Sequence, residues 1–189
     1  MEWSNVQLIP QGKCWRCTVT TLEYLTGIPR DDIIRDLGHD GGIRPKSIRD
    51  KLKEGGPVFA DEDCLRLGVL ESETLWWLFK KGINATYLKT KQFLVYELCQ
   101  EKSHDAIYCP SQDELWESIL GKCALLAKEL FPEKNIWHHV AWLAGTTFDP
   151  ATGRTIGIKP QNVFAAIILS DISPSKRLCE IQNDLQSKL

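Results

Sequence analysis

The feature that most constrains this chain is the stretch Gln11-Gly12-Lys13-Cys14-Trp15-Arg16-Cys17, which runs directly into Thr18-Val19-Thr20-Thr21-Leu22-Glu23-Tyr24-Leu25-Thr26-Gly27. The second half reads as one amphipathic helix. Val19, Leu22 and Leu25 recur at three-residue intervals, on or near one face, and Gly27 is a ready stop. Cys17 then falls at or near the first turn, where free N–H groups and the positive end of the helix dipole favour an anion. A thiol so placed gives up its proton more readily and becomes a better nucleophile. Gln11 lies six residues earlier, on a loop, with an amide N–H to offer. A thiolate, and a donor for the oxyanion it creates, are what an acyl-transfer site requires.

The rest of the composition narrows the setting. A length of 189 residues suits one domain, and 43% hydrophobic residues are enough for a packed interior. No apolar run is long enough to span a membrane, and Met1-Glu2-Trp3-Ser4-Asn5 has neither the basic start nor the apolar core of a secretion signal. A net charge of −2 with interspersed signs argues against nucleic acid as a partner. Seven scattered cysteines without a secretion signal suggest a cytoplasmic protein with mostly reduced thiols. Delivery from a bacterium into another cell would leave that expectation unchanged.

Taken in order, Val6 to Ile9 could form a short strand before Pro10. After the nucleophile helix, Pro29 opens a second one, with Ile33, Ile34 and Leu37 facing inward and Gly38 ending it. His39 to Gly42 is a loop. Pro45 starts a third helix, with Ile48 and Leu52 inward and Gly55-Gly56 as the stop. Residues 57–70 read as loop with a helical turn. From Glu71 to Gly82 acidic residues come early, basic residues late and glycine last, as in a helix whose dipole is complemented. Ile83 to Leu88 reads as a strand, and 91–100 and 112–120 as two more helices. From Cys123 the period changes. Cys123 to Ala127 and Trp137 to Ala144 are apolar strands. Gly145-Thr146-Thr147 is the expected turn, and Phe148-Asp149-Pro150 returns antiparallel. Arg154 to Ile158 and Val163 to Leu169 supply more strand, and the polar tail from Pro174 reads as a loose helix. Helices first and antiparallel strands after make an α+β layout.

A cysteine nucleophile needs a base and a third group that fixes the imidazole. A hairpin turning at Gly145 sets His139 and Asp149 symmetrically about the turn, so that Asp149 could hold His139 as a base towards Cys17. His138 is the alternative base.

Here the chain resembles a known group. Gln11-Gly12-Lys13-Cys14-Trp15-Arg16-Cys17 looks like the papain-family stretch Gln-Gly-x-Cys-x-x-Cys, in which the second cysteine attacks. His138-His139-Val140-Ala141-Trp142-Leu143-Ala144-Gly145 resembles that superfamily's histidine strand. Phe148-Asp149-Pro150 is more similar to the Asp-Pro ending in the peptidase domains of bacteriocin-exporting transporters. The resemblance covers some thirty residues. It departs at Thr18, where tryptophan or glycine is usual, and in the short gap from His139 to Asp149; with Cys17 so early, no propeptide is expected. It implies Cys17 as nucleophile, His139 as base, Asp149 as orienting residue, and Gln11 as oxyanion donor with the Cys17 backbone N–H. Cysteine effectors and toxins of that superfamily carry a similar Cys-His-Asp set, and several deamidate a glutamine on a partner protein.

The expected fold is therefore a single papain-like α+β domain. Residues 1–122 form a mainly helical half, 123–172 an antiparallel sheet half and 173–189 a polar tail, with the site in the cleft between the halves. The expected function is hydrolysis of an amide bond in a protein or peptide substrate, with no cofactor, metal, nucleic acid or membrane span; nothing in the sequence speaks to oligomeric state. Other readings remain. Cys14-x-x-Cys17 could be half of a zinc site completed by Cys109, Cys123 or the two histidines, or a redox pair. The chain could also be a glutamine deamidase, an acyltransferase or a non-catalytic interaction module. Cys14 reads as a packing neighbour, Asp149-Pro150 as a possible bare turn, Trp15 and Trp137 as cleft or core, and Trp142 as core.

Overall fold

The structure, a computed structural model, describes residues 8–12, 16–42, 69, 71–90, 109–131 and 136–187. The third helix expected from Pro45, the loop at 57–70 apart from Val69, the helix at 91–100, and the roles of Cys14 and Trp15 lie outside these residues, as do Val6 and Gln7. Leu8 and Ile9 are described and form no strand.

The described residues form a mixed α+β fold. Its helices are α1 (Cys17–Thr26), α2 (Arg30–Leu37), α3 (Glu71–Lys80), α4 (Gln112–Ile119) and α5 (Pro174–Gln186). Its strands are β1 (Ala85–Lys89), β2 (Cys123–Phe131), β3 (Ile136–Leu143), β4 (Thr146–Asp149), β5 (Arg154–Ile156) and β6 (Val163–Leu169). All six strands join in one antiparallel sheet, ordered β1-β6-β2-β3-β4-β5. The sheet therefore takes its edge strand β1 from the stretch read as the helical half, because Ala85–Lys89 pairs with Leu169–Ala165. Among the described residues no helix is long and apolar enough to cross a membrane.

Alternation along the strands divides the core in two. Cys123, Leu125, Ala141, Leu143, Phe148, Ile167 and Leu169 face one side. There they meet Val19, Leu22 and Leu25 of α1, Ile33 of α2, Trp77 and Leu78 of α3, and Ile181 of α5. Ala124, Leu126, Val140, Trp142, Ala166 and Ile168 face the other side, under Leu115 and Ile119 of α4. Trp142 is core, as expected; its indole N–H donates to the Ile119 carbonyl at 2.9 Å and its ring lies 4.9 Å from that of Trp116.

Two expectations are corrected. Helix α1 is not amphipathic in place: Thr18, Thr20 and Thr21 are buried along with Val19, Leu22 and Leu25. Elements pack on nearly every side of α1, as they do around a central helix of a globular core. The tail is also no loose helix. Ser173 caps it and Pro174 starts it. Ile181 is buried, with Leu178 and Leu185 packed beside it at helical spacing. From the same helix Arg177 reaches the C-terminal end of α1, donating to the carbonyls of Tyr24 at 2.8 Å and Glu23 at 3.2 Å. A cation at that end complements the helix dipole. Ile181→Ala is expected to lower stability by about 2–5 kcal/mol, as for other buried Ile truncations, read from the urea midpoint at unchanged slope. A change near zero would mean that α5 does not belong to the core.

Candidate active site

Cys17 is the first residue of α1, and Arg16 at the N-cap supplies no side-chain cap. The first-turn N–H groups are thus left to an anion. Arg16 is turned away to Asp40, whose Oδ2 accepts from its Nε at 2.9 Å and its Nη2 at 2.7 Å. Asp40 is set by its own loop, Oδ1 accepting from the Gly42 N–H at 2.9 Å. His39, next in that loop, stands 3.2 Å from Glu73 of α3. The loop read from sequence as a plain connection therefore ties the residue before Cys17 to the start of α3.

Asp149 does not meet His139. Its Oδ1 lies 2.7 Å from His138 Nε2, and this corrects the expected pairing. The cause is the turn. Leu143 pairs with Thr146, so the hairpin closes in two residues, Ala144 and Gly145, and not at Gly145-Thr146-Thr147. Both central residues have positive φ, 47° for Ala144 and 105° for Gly145, as a tight turn of this twist requires. Continuing that register sets Asp149 opposite Val140. The residue two positions before Val140, on the same side of the strand, is His138. A symmetric pairing of 139 with 149 needs an odd loop, and a shift of one residue moves a side chain to the other side of its strand.

The neighbourhood of Asp149 is held from several directions. Its Oδ1 also accepts from the Ala151 N–H at 2.8 Å. The Pro150 carbonyl accepts from the Gln11 N–H at 2.7 Å, and the Gly153 carbonyl from the Leu8 N–H at 2.7 Å. Gly153 has φ +69°, and a Cβ there would run into the Leu8 carbonyl, so the approach requires glycine. Buried Gln11 is in this way fixed to the turn that carries Asp149. On its other side the loop is held by α1 and α2, since the Ile9 carbonyl accepts from the Tyr24 hydroxyl at 2.6 Å and from Arg30 at 3.1 Å.

The charges follow from these contacts. Burial alone would push the Cys17 thiol up, but the His138 and His139 rings beside it outweigh this and bring it down to about 5. Burial would push His138 down. The hydrogen bond to Asp149 and the neighbouring Cys17 sulfur instead raise it to about 9. Burial acts upward on Asp149, yet the bonds from His138 and the Ala151 N–H keep its carboxyl below the usual carboxylate range. Between about pH 5 and 9 the pair is thiolate and imidazolium, the state that attacks a carbonyl.

His139, the expected base, lies against α1. Its Nδ1 is 2.7 Å from the Thr18 hydroxyl, its carbonyl accepts from the Thr21 hydroxyl at 3.2 Å, and its Nε2 is 3.9 Å from Glu71 Oε1. The structure thus brings Cys17, His138, His139 and Asp149 together, with Gln11 bonded to the residue after Asp149. Sequence reasoning met Thr18 only as a departure from the papain-family pattern and gave Glu71 no role; the only signal for Glu71 was its place in an acidic first turn.

Cys123, a thiol weighed for a metal site, is packed in the core, and burial pushes it up to about 12. Among the described residues no group of three or more His, Cys, Asp or Glu side chains is arranged to hold a metal ion. No protein-family model matches the chain, and no curated protein matches it.

Alkylation of Cys17 by iodoacetamide is expected to rise with pH through about 5, far below the ordinary thiol range. His138→Gln should move that rise upward, because one of the two rings that bring the thiol down is gone. Mass spectrometry of the tryptic peptide Cys17–Arg30, in which Cys17 is the only cysteine, reads the profile directly.

Proposed function

We propose that this chain is a papain-like cysteine hydrolase acting on an amide bond of a protein or peptide substrate. The observation that carries the reading is a buried thiol at a helix start beside an imidazole that a carboxylate holds at 2.7 Å through its far nitrogen. With Asp149 on Nε2, His138 keeps Nδ1 for the sulfur side. That tautomer both accepts the thiol proton and returns it.

In the proposed reaction the Cys17 thiolate attacks the carbonyl carbon, and the oxyanion is held by the Cys17 backbone N–H and the Gln11 amide. His138 gives its proton to the departing amine or ammonia. It then takes a proton from the water that attacks the thioester, freeing the acid and restoring the thiolate and imidazolium. Asp149 orients the ring and balances its charge. His138 therefore replaces His139 as the proposed base. Work in a reducing cytoplasm, where the thiol stays free, belongs to the same proposal.

Cys17→Ala should abolish turnover with little change in melting temperature. His138→Gln should cost about 10²–10⁴-fold in kcat/KM, and Asp149→Ala less, because its role is orientation. Mass spectrometry of incubated peptides and proteins identifies the leaving group. Fragments mean peptidase action, the small gain of an amide becoming a carboxylate means deamidation, and an adduct with an added amine means acyl transfer. Equal turnover by the wild-type and Cys17→Ala proteins would falsify the proposal.

A further inference from the structure

Two histidines follow one another in β3, and the proposed reaction uses one. His139 is as buried as His138, each residue 6% exposed. Its ring is positioned at both ends: the Thr18 hydroxyl meets Nδ1 at 2.7 Å, and the Glu71 carboxylate stands 3.9 Å from Nε2, within ion-pair range but too far for a hydrogen bond. That Nε2 is buried and has no hydrogen-bond partner among the described residues. A polar atom left open in a buried site is costly unless the site's task uses it. Thr18 belongs to the turn that carries the nucleophile, so any shift of the ring is felt at Cys17.

We infer that His139 is a second catalytic imidazole, oriented by Thr18 and Glu71, which shares with His138 the holding of the Cys17 thiolate. The inference rests on Cys17 being the nucleophile. Each ring that acts on Cys17 is thereby paired with a carboxylate, His138 with Asp149 and His139 with Glu71. In this arrangement the thiol proton passes to His138, and His139 takes no part in that transfer; it acts on the thiolate through its position beside the start of α1. The lowered thiol agrees, since both rings contribute to it. The other charged groups here are Asp149 on β4, Glu71 on α3 and Arg16 at the start of α1, the last engaged by Asp40.

The test is the pH profile of Cys17 alkylation, read on the Cys17–Arg30 peptide, for wild type, His138→Gln, His139→Gln, both together, and Glu71→Gln. In His139→Gln the midpoint should rise by about one pH unit or more, a tenfold loss of thiolate below it. The double variant should rise further than either single one. Glu71→Gln, a change at the rim where the side chain is 26% exposed, covers the case in which His139→Gln fails to fold. It also separates two mechanisms by sign. Acting through His139, loss of the carboxylate weakens the ring's hold and raises the midpoint. Acting only as a nearby negative charge, its loss would lower the midpoint. A His139→Gln midpoint equal to wild type, or a Glu71→Gln midpoint that falls, overturns the inference and leaves the proposed hydrolase standing. A wild-type thiol that reacts only in the ordinary thiol range overturns both.

Discussion

The contact between His138 and Asp149 exists because β3 turns into β4 in two residues. Everything at the site follows from that tightness. Ala144 accepts positive φ so that the strands leave the turn in register, and the register brings Asp149 to the side of the strand that carries His138. The carboxylate then claims Nε2, which leaves the opposite ring nitrogen for sulfur. A looser turn would exchange the two histidines and remake the charge pattern around Cys17.

The second support is the segment Leu8–Gly12. It contributes no regular structure, yet backbone bonds bind it to the turn after Asp149, and side chains of α1 and α2 hold its carbonyls. The proposed oxyanion donor, the proposed orienting carboxylate and the helix of the proposed nucleophile are thereby parts of one hydrogen-bonded body. Preorganisation of this kind is what an acyl-transfer site needs, because donors that must move when charge develops contribute less.

Much of this was legible in the chain itself. The helix from Cys17 is announced by spacing and a glycine stop, and the apolar strands after Cys123 by a change of period. The pairing of Asp149 was not legible, because it depends on an alanine entering a backbone region that L-residues rarely occupy, beside a Gly-Thr-Thr run that looks like the turn. The docking of α5 was half visible: Leu178, Ile181 and Leu185 have helical spacing, but polar neighbours outnumber them. The Thr18 and Glu71 contacts of His139 bring together parts of the chain far apart in sequence, which no local pattern encodes.

Arg177 closes the far end of α1 from α5, across 153 positions of chain, and the Thr18–His139 contact spans 121. Contacts of such range form late, since long loops must close before they are rewarded. During synthesis α1 emerges early and α5 emerges last of the described elements. The sulfur therefore gains its imidazoles only once β3 has been made, and α1 its final cap only once α5 has. A nascent chain carries an ordinary, protonated thiol, and chemical reactivity arrives together with the completed fold.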